Sequence, residues 1–120
     1  MRMIAIAMLV VGGCKSGADA PKPADLRPGP IAAPERKRGV DACTAYVQAV
    51  CACAASTAKP ELQKRCDLDR ALPEALQLAI DVDDKLDAVR EDIITAQAQA
   101  RNIIASCVQK TAALPGDGCR

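Results

Sequence analysis

The chain carries seven cysteines, at positions 14, 43, 51, 53, 66, 107 and 119, and no histidine. In such company a sulfur can bridge to another sulfur, bind a soft metal ion, or exchange with a substrate disulfide. Without imidazole, His-ligated zinc, imidazole proton shuttles and the usual serine or cysteine triads drop out, and no enzymatic activity is expected. Cys43, Cys51, Cys53, Cys66, Cys107 and Cys119 all fall between residues 41 and 120. Six is an even number, and six cysteines in so short a segment point to three disulfides and an oxidising compartment. The segment also needs them. It holds one aromatic residue, Tyr46, and many alanines, so its core is thin, and each bridge contributes about 2–4 kcal/mol to a domain of that size.

One alternative use of sulfur is the Cys51-Ala52-Cys53 pair, which would make the protein a metal-handling or thiol-redox protein. Against it, on one helix the two side chains point about 160° apart, there is no Cys-x-x-Cys, and no βαβ pattern accompanies them. No cofactor or metal is expected. Asp81-Val82-Asp83-Asp84-Lys85-Leu86-Asp87 is acidic enough for a calcium loop, but Leu86 stands where that loop requires glycine and Lys85 where it requires oxygen. Asp81 or Asp83 reads better as the N-cap of a following helix.

The elements that must position these sulfurs read as helices, because apolar residues recur at steps of three and four and no alternating run with turn chemistry is present. A first helix is expected from about 42 to 57, capped by Asp41, with Tyr46, Val47, Val50 and Ala54 on its inner face. Pro60 suits the first turn of a second helix, whose stripe is Leu62, Cys66, Leu72, Leu76 and Ile80. Pro73 within that stripe predicts a kink or a split. A third helix is expected from about 83 to 113, ended by Leu114-Pro115-Gly116. Its seam is Val82, Leu86, Val89, Ile93, Ala96, Ala100, Ile103 and Cys107. Arg90, Gln97 and Ile104 beside that seam lack the complementary charges of a coiled-coil dimer, so it reads as an intramolecular core face.

Folding the first two helices as a hairpin about residues 58 and 59 brings Cys51 level with Cys66, the preferred bridge. Cys43 and Cys53 then share Cys107 and Cys119. That pairing stays open, because a straight third helix carries Cys119 past Cys43 unless the tail folds back.

Ahead of this segment, residues 15–40 hold five of the eight prolines with Gly17, Gly29 and Gly39, a composition that predicts a disordered tether. Glu35-Arg36-Lys37-Arg38 reads as a solvated charge run at its end. Lysine and arginine total 16 against 15 acidic residues in the whole chain, so no nucleic-acid partner is expected.

The first residues are an address. Arg2 is followed by nine apolar residues, Met3 to Val11, and then by Gly12-Gly13-Cys14. Nine residues of helix cover roughly 14 Å, about half a bilayer core, so the run does not span a membrane. A charged start, a short apolar centre and small residues describe a secretory signal. Val11-Gly12-Gly13-Cys14 resembles the lipobox of bacterial lipoprotein precursors. That resemblance implies acylation of the Cys14 thiol, cleavage just before it, and attachment to a membrane through lipid. Lys15, where aspartate would retain an enteric lipoprotein in the inner membrane, points to the outer membrane.

The sequence thus predicts a signal over 1–13, a lipidated Cys14 and disordered Pro-rich tether over 14–40, and a Cys-rich domain over 41–120. The fold class is all-α, a small disulfide-stapled antiparallel three-helix domain. The functional expectation is a lipid-anchored protein of the bacterial cell envelope, presenting a structural or interaction module that meets an envelope protein through its helix faces.

Overall fold

The computed structural model describes residues 27–120. Four α-helices follow one another: α1 (Ala33–Thr57), α2 (Pro60–Asp69), α3 (Leu72–Asp83) and α4 (Arg90–Ala113). A 3-10 turn over Leu114–Asp117 completes them. Among the described residues there is no strand. The fold is all-α, with α2 and α3 together occupying the second position of a three-helix antiparallel arrangement. The helix that follows packs against α3 and α1, and α2 packs against α1.

The split falls where Pro73 predicts it. A proline at 73 has no amide proton to donate to the carbonyl of Asp69, and its ring crowds that carbonyl, so α2 stops there. The same residue then serves as a first-turn proline of α3. Pro60 does this for α2.

Helix α1 starts nine residues earlier than the sequence suggests, and the expected tether is corrected over its second half. Asp41 caps nothing; it lies inside the helix and pairs with Lys37 at 2.6 Å. Pro34, one of the five prolines of the expected tether, sits in the first turn, where a missing amide costs nothing. Glu35 complements the dipole there, and Arg36, Lys37 and Arg38 are good helix formers. The buried stripe Gly39, Cys43, Tyr46, Val50 and Cys53 therefore begins two turns before Tyr46. Gly39 has a packing role: an added Cβ would stand 2.3 Å from Ile104 Cδ1, so glycine is what lets α4 lie so close. Ile31, ahead of the helix, is 3% exposed and belongs to the core. Residues 27–32 are thus part of the folded domain, while the signal, Cys14 and residues 15–26 lie outside the described residues.

The third expected helix is also corrected, because α4 begins at Arg90, behind Val89, with no side-chain cap. Neither Asp81 nor Asp83 caps it. Ile93, Ala96, Ala100 and Cys107 are buried as the seam requires, but Leu86 and Val89 are exposed. Two long-range interactions explain the break. Asp83 turns inward at the end of α3, and Arg27 donates hydrogen bonds to the carbonyls of Lys85, Leu86 and Ala88. Those of Lys85 and Leu86 are the ones that a continuous helix would have spent on the amides of residues 89 and 90.

Candidate functional site

The chemistry-bearing residues singled out in the sequence resolve into a framework of three disulfides. Cys51 bridges Cys66, as the hairpin register predicts, with Cα atoms 4.9 Å apart. Cys43 bridges Cys107 at 5.0 Å and Cys53 bridges Cys119 at 5.5 Å. All three separations are ordinary for disulfides. The bridges tie α1 to α2, α1 to α4, and α1 to the C-terminal tail.

The pairing left open by the sequence is decided by the tail. After α4 the chain tightens into the 3-10 turn over Leu114–Asp117 and reverses at Gly118, whose φ is 89°. Only glycine adopts that conformation without strain. The Cys119 amide donates to the Leu114 carbonyl at 3.0 Å, closing the reversal. Lys59 Nζ donates to the Asp117 carbonyl at 2.8 Å, and Arg65 pairs with the Asp117 carboxylate at 2.6 Å. Cys119 is thereby held against α1 at Cys53, ten residues beyond Cys43, which meets Cys107 instead.

Two buried carboxylates organise the rest. The Asp83 side chain is 0% exposed. Its Oδ2 accepts hydrogen bonds from the Ile31 amide at 2.8 Å and from Arg36 Nη2 at 3.0 Å, and its Oδ1 accepts from Gln97 Nε2 at 2.7 Å. Gln97 Nε2 also donates to the Gly29 carbonyl, and Arg36 reaches the Ile31 carbonyl and Asp84. Asp69 is the second: it accepts from Tyr46 Oη at 2.6 Å and pairs with Lys110 at 2.8 Å. Burial, and then the hydrogen bond to Asp69, hold the Tyr46 phenol protonated well above its ordinary pKa. Among the described residues no buried side-chain polar atom lacks a hydrogen-bond partner. These carboxylates are structural junctions, with both oxygens of each bonded to a donor of the domain itself.

Sequence reasoning missed both. The sequence offers Asp83 only as an alternative to Asp81 for a helix cap, and places Gln97 on the flank of a seam. The available signal was spacing: Asp69 stands three residues after Cys66, and Asp83 three after Ile80, each continuing the apolar stripe of its helix. A polar residue on a buried stripe requires a partner.

Surface concavities carry little chemistry. A groove of about 630 Å3 beside the Cys53–Cys119 bridge is lined by Ala49, Ala52, Ser56, Thr111 and Leu114 among others. Its two hydroxyls donate to main-chain carbonyls, Ser56 to Cys53 and Thr111 to Cys107, and neither is bonded to a base among the described residues. A shallower groove of about 500 Å3 runs between α3 and α4 past Leu78, Val82 and Ile103. Among the described residues no cluster of acidic or sulfur side chains could hold a metal ion, and no helix is long and apolar enough to cross a membrane. Compared with known proteins, the chain matches no family model, no curated protein and no solved structure.

Proposed function

We propose that the protein is a lipid-anchored component of a bacterial cell envelope, outer membrane rather than inner, whose domain is a structural or interaction module. The observation that carries this reading is that every cysteine among the described residues is spent in a bridge. Such a framework persists outside the cytosol, which is where the signal and the Val11-Gly12-Gly13-Cys14 motif would deliver the chain. Cys14 then has no partner within the domain and is the sulfur left for the acyl group. An envelope protein would be met through helix faces, and the apolar groove between α3 and α4 is the face that suits a partner helix. The alternative of metal or thiol-redox chemistry at Cys51 and Cys53 loses support, since the two sulfurs belong to different bridges.

The test is the intact mass of the membrane-extracted protein, with and without reductant. A mature chain starting at Cys14 and carrying acyl mass, with a gain of about six daltons on reduction for three bridges, is the expected result. A chain without acyl mass refutes the anchor. Free thiols in the unreduced domain refute the framework.

A further inference from the structure

We propose that the α3–α4 loop is the membrane-facing edge of the domain, with Leu86 and Val89 entering the phospholipid interface. This inference rests on the lipid anchor at Cys14 proposed above. Its own support is where the chain enters the fold. Arg27 donates to the Leu86 carbonyl at 2.6 Å, to the Lys85 carbonyl at 3.1 Å, and to the Ala88 carbonyl. Ile31 and Gly29 are held to Asp83 and Gln97 close by. The point at which the anchor strand joins the domain is therefore bonded directly to the loop.

Chain length then favours one orientation. Between Cys14 and Arg27 there are only 13 residue steps, a reach of at most about 45 Å even when fully extended. Helix α4, with 24 residues, runs from this loop to the opposite end of the domain over about 36 Å. Turning that opposite end to the bilayer would lift Arg27 by about four fifths of that reach and leave the connecting segment little conformational freedom. With the loop toward the bilayer the strand keeps its slack, which entropy favours.

The surface at that end fits a lipid interface. Leu86 is 91% exposed, the highest value for any large apolar side chain among the described residues, and Val89 is 57% exposed. A leucine so placed contributes nothing to the core, yet it gains from leaving water. The charges around it are Arg27, Arg36, Lys85 and Arg90 against Asp84, Asp87, Glu91 and Asp92, with Arg27 on the loop carbonyls and Arg36 on Asp84. This is no basic patch, so apolar insertion into a zwitterionic interface is the mode of contact, rather than attraction to anionic headgroups.

The chain has no tryptophan, so Leu86→Trp introduces a single reporter at a site where the side chain touches little. Val108→Trp is the control: Val108 is 54% exposed and lies about 27 Å along α4 from Arg90. Both variants would be purified as the full membrane-extracted protein and reconstituted into phosphatidylcholine vesicles with or without bromine on the acyl chains. The expected result is a blue-shifted Leu86→Trp emission, quenched several-fold more strongly than that of Val108→Trp. Adding Arg27→Ala should reduce that quenching while the protein still floats with the vesicles. If the protein floats and Leu86→Trp is no more quenched than the control, the orientation is wrong and the anchor stands. If it does not float, both fall.

Discussion

Replacing Asp83 with alanine tests the claim that residues 27–32 are part of the fold. The substitution removes three donors' common acceptor: the amide of Ile31, Nη2 of Arg36 and Nε2 of Gln97. Breaking one side of a buried ion pair costs about 3–5 kcal/mol, and an orphaned buried amide about 1–3 kcal/mol, and the two overlap because they share a partner. Arg36 is 19% exposed and keeps Asp84 at 2.6 Å, and Gln97 keeps the Gly29 carbonyl. The loss should therefore fall near the lower bound, about 3 kcal/mol, which is a large share of a small domain's 5–15 kcal/mol. Asp83→Asn retains an oxygen for one donor and should lose less. Urea unfolding followed by far-UV circular dichroism, with all disulfides intact, measures both. Amide exchange localises the change: the Ile31 amide should be protected in the parent protein and exchange freely in Asp83→Ala. A loss below about 1 kcal/mol, with an Ile31 amide already unprotected in the parent, would refute the argument and return residues 27–32 to the tether.

The bridges should differ less than their spans suggest. Cys53–Cys119 spans 66 residues. With Cys43–Cys107 in place, however, the connecting path is only the ten residues from 43 to 53 plus the twelve from 107 to 119. Its entropic contribution drops from about 4.4 to about 3.4 kcal/mol, close to about 3 for the Cys51–Cys66 loop. The paired serine variants should thus lose similar stability in urea, and a difference above about 2 kcal/mol would contradict the chain-entropy account. Ala58 closes α1 with φ 53°, a conformation that costs a side-chain-bearing residue about 1 kcal/mol; Ala58→Gly should raise the melting temperature by a few degrees. Tyr46 has a folded pKa raised above the ordinary 10.0 by burial and by Asp69. The folded state therefore holds its proton where the unfolded state releases it, so the contribution is complete below pH 10 and is lost as pH rises beyond. Urea midpoints should fall above pH 10 in the parent and fall less in Tyr46→Phe.

The helices, an interruption at Pro73 and the Cys51–Cys66 bridge are legible in the sequence, since each depends on residues within about one helical turn or one hairpin; whether Pro73 kinks or splits the helix is not. The repeating apolar step, the missing proline amide and the register across Lys59 are local facts, and local sterics and hydrogen bonds determine their outcome. The start of α1 was hidden for a different reason. Pro34, Gly39 and the Glu35–Arg38 charges have one meaning in a tether and the opposite meaning in a first helical turn, and only the burial of Ile31 and the approach of Ile104 select between them. The end of α3 and the Cys53–Cys119 pairing likewise belong to the assembled molecule. Arg27 bonds carbonyls 58 to 61 residues away, and Asp117 holds the tail to Lys59 and Arg65 across more than fifty. Hydrogen-bonding groups of the backbone take whichever partner the packed chain brings within reach, so these features became determinate only once the helices had docked.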